Sequence, residues 1–255
     1  MTNRLQTFVK DVYHRNVTWN NLRPVWGSES FEVTFRGEKI SFCYDSKAES
    51  GDLMKYWNYC LHVLGNEAEG YFQKYTPRKA ETVIDAGANF GAISVYLSRL
   101  VGSSGKVLAF EPDPANRLTL NRNLKLNNCT NVEVLDVAVF DYEGKIPFTS
   151  AGSDSHFSLN GSLEVQASSL DVECAIRGIS PQDVSFIKMD IEGAEIEAIE
   201  GAKRLLIRGK PHLAIASYHE RNGEKTHVYL ENRLKDWGYK VETDFPRHLT
   251  TWASK

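Results

Sequence analysis

The chain has 255 residues, 42% of them hydrophobic and 25% charged, with a formal net charge of -3, which suits a globular protein with one large core and a small appendage. No run approaches the roughly 18 apolar residues of a membrane span, and a charge so near balance gives no electrostatic reason to expect nucleic acid as a partner. The four cysteines, Cys43, Cys60, Cys129 and Cys174, make no CxxC pair or metal-ligand spacing, and the first residues lack a secretory apolar region; both predict a reduced, cytoplasmic protein.

In chain order, Phe31 to Cys43 alternates apolar and polar residues around Arg36-Gly37-Glu38, which predicts a hairpin. Leu53 to Tyr75 is rich in aromatics and predicts a helix. Together, residues 1–75 are expected to form an N-terminal cap on a main domain of residues 76–255. From Glu81 strands and helices alternate. Strands are expected at Thr82–Ala86, Lys106–Glu111, Val132–Val139, Phe186–Asp190 and His212–Ser217. Two closing strands are expected at Tyr239–Phe245 and His248–Ala253. Helices are expected after Gly91, from Pro114 to about Asn127, after Asp190 with Ala198, Ala202 and Leu205 inward, and around Leu230, Leu234 and Trp237. Such alternation predicts a mostly parallel, two-sided α/β sheet. The polar, turn-rich stretch from Asp141 to Asp171 breaks the pattern. It reads either as a functional insertion beside a cleft or as a plain hairpin excursion.

In an open parallel sheet the ligand lies beyond the carboxyl ends of the strands. Those ends carry Asp85-Ala-Gly87-Ala-Asn89-Phe-Gly91, Glu111-Pro112-Asp113, Asp136-Val137-Ala138, Asp190-Ile-Glu192-Gly193 and Ser217-Tyr-His219-Glu220. Several carboxylates converging at one edge would repel one another unless a ligand uses them. The glycine loop lacks the G-x-G-x-x-G frame of a pyrophosphate site, since Asn89 and Ala92 stand where glycines are needed. Asp85 before the loop suits an ammonium better than a phosphate. On the loop alone, Gly87 and Gly91 could simply end a strand and start a helix. Glu111, 24 residues after Gly87, favours a ligand, because a carboxylate there accepts hydrogen bonds from two ribose hydroxyls. A nucleoside with a cationic tail and no phosphate is implied, which S-adenosylmethionine fits.

With these residues in hand, the sequence resembles the FkbM family of class I methyltransferases. Val83 to Gly91 is similar to the family's first cofactor motif, and Phe186-Ile-Lys-Met-Asp-Ile-Glu-Gly-Ala-Glu195 to its hallmark segment. Lesser matches are Phe110-Glu-Pro-Asp113, Ala138 with Gly144, and Leu170-Asp171; Glu69 matches an acid that the family carries ahead of the first strand. The resemblance implies a Rossmann-like, seven-stranded sheet whose last strand is antiparallel. It implies cofactor contacts from Glu69, Asp85, Gly87, Asn89, Gly91, Glu111, Pro112, Val137, Ala138 and Asp190, and a hydroxyl acceptor on a sugar, glycan or secondary metabolite.

Methyl transfer from a sulfonium is an in-line displacement, so a base must take the hydroxyl proton. His219 is the first candidate, at a strand end and titrating near neutrality; Asp190 is the second. A third arrangement is Mg²⁺ held by Asp190 and Glu220. Glu192 and Glu195 read as charges complementing a helix N-terminus. An RNA or protein methyltransferase and a non-catalytic cofactor-binding protein remain alternatives. An NAD-dependent oxidoreductase is disfavoured by the missing central glycine.

Overall fold

The computed structural model describes residues 25–26, 30–43, 60, 62–152, 155–158, 160–221, 223–244 and 248–255. Of the helix expected from Leu53 to Tyr75, residues 53–59 and 61 lie outside them, as does Phe245 of the first closing strand. Strands β1 (Val25–Trp26), β2 (Ser30–Phe35) and β3 (Glu38–Cys43) form an antiparallel sheet. Arg36 and Gly37 connect β2 to β3 with φ of 47° and 86°, the left-handed pair that a tight two-residue hairpin loop requires. A π-helical turn, Val63–Glu67, runs into α1 (Ala68–Tyr71).

The alternating region then gives β4 (Thr82–Ala86), α2 (Ala92–Val101), β5 (Lys106–Phe110), α3 (Pro114–Leu126) and β6 (Val132–Leu135). Helix α3 starts where expected because Pro114 occupies its first turn and the Asp113 side chain accepts the Ala115 N–H. After β7 (Val137–Val139) come β8 (Gly144–Thr149), β9 (His156–Phe157), β10 (Leu163–Ser168) and α4 (Leu170–Ile176). They are followed by β11 (Val184–Met189), α5 (Glu195–Glu200), α6 (Lys203–Gly209) and β12 (His212–Ala216). A short ribbon of β13 (Glu220–Arg221) and β14 (Glu224–Lys225), then α7 (Thr226–Asp236), β15 (Lys240–Asp244) and β16 (Thr250–Ser254), complete the chain.

Seven strands pair in the order β15-β16-β12-β11-β4-β5-β6. Only β16, the last strand, opposes its neighbours, as the family resemblance implies. The order reverses between β4 and β11, which opens the crevice where such sheets bind ligands. One core lies between the sheet, α2 and the N-terminal hairpin, uniting Phe31, Val33, Phe35, Ile40 and Phe42 with Tyr96 and Leu97. The other joins the opposite face to α5, α6 and α7. Among the described residues no helix is long and apolar enough to cross a membrane.

Three details differ from the expected elements. The strand expected at Val132–Val139 divides at Asp136: β6 stays in the main sheet, while β7 pairs in parallel with β10 in a four-stranded sheet of order β7-β10-β8-β9. The insertion is therefore a second sheet. The helix after Asp190 breaks into α5 and α6 at Gly201, where a Cβ would stand 2.1 Å from the Phe140 carbonyl oxygen. The i,i+4 spacing of Glu200 and Arg204 predicts a pair on that helix, but Glu200 holds Arg233 and Tyr229 while Arg204 turns to Asp171.

The outer edge of β3 is closed by side chains. Asn127, 2% exposed, accepts the Ser41 N–H at 2.9 Å and donates to the Ser41 carbonyl at 2.7 Å. Asn123 does the same for the Cys43 N–H at 2.8 Å. These amides stand in for a neighbouring strand and cover an edge that would otherwise invite another chain. Asn127→Ala strands both Ser41 backbone groups and is expected to destabilise the protein by about 2–3 kcal/mol, read as a lower urea midpoint at unchanged slope.

Candidate active site

The carboxyl ends of β4, β5, β7, β11 and β12 meet the π turn, α1 and the second sheet around a cavity of about 310 Å³. The lining includes Phe110, Glu111, Pro112, Val137 and Ala138, with Phe140, Ile146, Phe148 and Phe157 forming an apolar wall. It also includes Glu67, Tyr71, Gly87, Lys188, Asp190, Glu192 and Tyr218. The wall comes from the inserted sheet, so the insertion shapes the cavity.

The glycine loop is held from three sides. Gly87 has φ +79°, and a Cβ there would stand 1.8 Å from the Asp190 carbonyl oxygen, so only glycine lets the β4 and β11 loops touch. The N–H groups of Gly87 and Ala88 both donate to the Phe110 carbonyl, at 3.1 and 2.9 Å. Asn89, left-handed at φ 50°, donates its N–H to Glu111 Oε2 at 2.7 Å. Gly91 does not line the cavity; its missing Cβ makes room for Leu120.

Asp85 is fully buried beneath the loop and does not reach the cavity. It accepts Ser94 Oγ–H at 2.6 Å and lies 3.2 Å from Lys188 Nζ, which also donates to the Gly87 carbonyl at 2.7 Å. Burial works against the Lys188 charge, but Asp85 and Asp190 outweigh it and raise the ammonium pKa. Sequence reasoning passed over Lys188, although a lysine inside the apolar run Phe186-Ile-Lys-Met189 was a signal, because burying an ammonium needs a fixed counter-charge.

Glu111, 4% exposed, faces the cavity with Oε1 accepting the Asp113 N–H at 2.9 Å. Burial pushes its carboxyl up to about 7. Asp190 Oδ2 accepts the Tyr71 hydroxyl at 2.8 Å, while its Oδ1 is buried without a hydrogen-bond partner. Burial disfavours the Asp190 charge; Lys188, the strongest of the opposing influences, together with the Tyr71 hydrogen bond, holds the carboxyl below the usual range.

The turn after Asp190 is strained, with Glu192 at φ 55° and Gly193 at 97°. Glu195 pins it: Oε1 accepts the N–H groups of Ile191 and Gly193 at 3.1 and 3.2 Å. His219 lies against the same turn, with Nδ1 3.1 Å from Glu195 and Nε2 3.3 Å from Glu192 and 3.9 Å from Asp190. Burial lowers the imidazole pKa, and these carboxylates more than reverse it, pushing it up to about 10. The surrounding carboxylates thus favour the charged imidazole, which weighs against His219 as the base expected from the sequence. Glu69 does not line the cavity; it pairs with Arg36 at 2.5 Å, and Glu67 takes the inward position. Glu220 is exposed on the β13–β14 ribbon, away from the two groups of potential ligands that contain Asp190. Those groups, Glu67–Asp190–His248 and Asp190–Glu192–His219, each include an imidazole and do not supply the oxygen set that Mg²⁺ takes.

A buried carboxylate at the second strand end suits a ribose diol, and an apolar wall suits a purine. Carboxylates in the lining suit a cationic tail, and Lys188 in the same lining is already engaged by Asp85 and the Gly87 carbonyl rather than open to a pyrophosphate. S-adenosylmethionine fits this set, and with the sheet order it defines a class I S-adenosylmethionine-dependent methyltransferase. The Methyltransferase FkbM domain model matches residues 85–241, and the chain belongs to the FkbM family. It is 26% identical over 208 residues to methyltransferase sdnD of Sordaria araneosa, covering 67% of this chain and 76% of that one. It is 24% identical over 148 residues to the 2-O-methyltransferase NoeI of Sinorhizobium fredii, covering 49% of this chain and 59% of that one. The crystal structure of methyltransferase FkbM from Methylobacillus flagellatus KT shares the fold, with a TM-score of 0.56 and 20% identity over 81% of this chain and 59% of that one.

Two expectations follow. Ribose hydroxyls donate to an ionised carboxylate, so S-adenosylhomocysteine should bind the charged form of Glu111. Its Kd is expected to rise by about tenfold per unit as pH falls below about 7, with Glu111→Gln flattening the dependence; calorimetry across that range checks it. For His219, whose folded pKa lies above the unfolded value, the stabilisation is full below the unfolded pKa of roughly 6.5 and fades as pH rises toward about 10. The difference in urea midpoint between wild type and His219→Gln is therefore expected to shrink over that window.

Proposed function

We propose that the chain methylates a hydroxyl group of an uncharged acceptor, a sugar, glycan or secondary metabolite. The observation that carries this reading is Asp190 Oδ1, a buried carboxylate oxygen with no hydrogen-bond partner on a residue that lines the cavity. A carboxylate there accepts a hydrogen bond from an acceptor hydroxyl and aims its oxygen for in-line attack. Glu67 and Glu192 stand in the same lining and disfavour a polyanionic acceptor such as RNA, since like charges in a poorly solvated cleft repel strongly. The 2-O-methyltransferase among the relatives agrees with this reading.

When bound, the cofactor supplies an electrophilic methyl group on a sulfonium. Glu111 would take the ribose hydroxyls, the backbone of Val137 and Ala138 would flank the base, and the Asn89 loop would border the sugar. Glu67 would supply the counter-charge for the cationic tail, leaving Asp190 to the acceptor. The apolar wall of Phe140, Phe148 and Phe157 keeps water from the purine side.

The test is methyl transfer from S-adenosylmethionine carrying a labelled methyl group, offered to a panel of monosaccharides, glycosides and polyhydroxylated metabolites, with tRNA and amines alongside. Label is expected in an alkali-stable methyl ether, and Asp190→Asn is expected to lower kcat by about a hundredfold or more while S-adenosylhomocysteine still binds. Label on nitrogen, or an undiminished Asp190→Asn variant, sinks the hydroxyl reading.

A further inference from the structure

The hydroxyl reading leaves the acceptor proton without a destination, and this inference rests on that reading. Of the groups named so far, His219 favours its charged form. Asp190 is a weak base, held ionised by Lys188, and suits orienting a hydroxyl better than storing a proton. A third group stands behind it. His248, 6% exposed, lies just before β16. Its Nε2 is 3.2 Å from the Tyr71 oxygen, and that hydroxyl is 2.8 Å from Asp190 Oδ2. The Tyr71 proton therefore has two acceptors within reach, and Tyr71 itself lines the cavity.

The hydrogen bonds also fix the ring's tautomer. Thr250 Oγ1 donates to the His248 carbonyl at 2.9 Å, which uses its only proton. At 3.3 Å from Nδ1 the same oxygen can then only accept, so the ring carries its proton on Nδ1. Nε2 is left bare, facing Tyr71.

We propose that the acceptor's proton leaves the site through Tyr71 to Nε2 of His248. As the acceptor oxygen takes the methyl group, its O–H bond breaks and the pair of the carbon–sulfur bond stays on sulfur. The acceptor proton passes to the Tyr71 oxygen while the Tyr71 proton passes to His248. The positive charge lost from the sulfonium reappears on the imidazole, 4.0 Å from Asp190 Oδ2. Tyr71 is a conduit rather than a base: burial, reinforced by Asp190, keeps its hydroxyl protonated. Burial likewise lowers the His248 pKa, which leaves the ring neutral and ready to accept. The charged and titratable groups around it are Asp190 and Lys188 on and after β11, Glu67 and Tyr71 from the cap, and Tyr218 and His219 after β12.

The test begins with ¹⁵N-histidine NMR of the protein saturated with S-adenosylhomocysteine, using His248→Gln to assign the resonance. The expected result near neutral pH is an uncharged ring protonated on Nδ1, with an Nε2 signal that moves in Tyr71→Phe. A ring that is charged or protonated on Nε2, or a signal indifferent to Tyr71→Phe, overturns the relay. This measurement needs no acceptor, so it stands apart from the outcome of the panel; failure to bind S-adenosylhomocysteine would instead count against the methyltransferase reading. With an acceptor in hand, His248→Gln and Tyr71→Phe are each expected to lower kcat by about a hundredfold and the double variant no further, as residues acting as one unit behave. KM and S-adenosylhomocysteine affinity stay unchanged, and the fall of kcat at low pH disappears in His248→Gln. Losses confined to KM or ligand affinity would assign the pair a merely structural role.

Discussion

The site is organised around a buried ammonium. Lys188 extends from the middle of the sheet into the space between Asp85 and Asp190, and its remaining donor capacity goes to the carbonyls of the glycine loop. Burying one charge costs several kcal/mol, and a partner repays that cost only when geometry and hydrogen bonds are good. Here the partners sit on adjacent strands, so the charge couples the ends of β4 and β11, the two strands that flank the crevice. Without the ammonium, two carboxylates would face each other in a dry pocket and at least one would take a proton. The ionised state of Asp190 follows from Lys188.

The apolar strands and their order were legible because buried parallel strands read as short runs bounded by turn residues. The acids at the strand ends were legible for the same reason, since a strand fixes where its last residue points. Glu111 reaches the cavity as expected. Less legible was anything decided by packing between elements that are distant in sequence. Val132 to Val139 reads as one strand, and only the pairing of β7 with β10 divides it. The break between α5 and α6 depends on how closely Phe140 approaches Gly201. Glu67 and Glu69 are two residues apart, and which of them faces inward is set by the turn that carries them, whose π geometry has no clear sequence mark. His219 was visible as a strand-end histidine, but its partners lie on a turn more than twenty residues earlier, so its charge state could not be read locally. His248 gave no signal beyond membership of a strand.

The cavity draws its walls from three sources with different freedom to vary. The glycine loop and the Asp190 turn are locked by missing Cβ atoms and by Glu195. The second sheet presents aromatic side chains from short strands, where exchanging one ring for another changes the shape of the pocket and not the topology. The cap contributes Glu67 and Tyr71 through a short helical segment secured by the Arg36–Glu69 pair and by Trp252, whose indole N–H donates to the Gly70 carbonyl. The shape of the cavity can thus vary through the second sheet while the glycine loop and the Asp190 turn stay fixed.

The position of β16 bears on when the protein can become active. This strand lies between β12 and β15 although it is the last of them in sequence, so the sheet closes by inserting a strand rather than by adding one at an edge. Trp252 and His248 arrive with it, and they contact the cap and Tyr71. A growing chain can assemble the glycine loop and the Glu111 strand early, from neighbouring segments. The far side of the cavity must wait for a contact spanning about 180 residues, between Gly70 and Trp252, and such long-range pairings form slowly. The wall that carries Tyr71 and His248 is therefore the last part of the cavity to take shape as the chain folds.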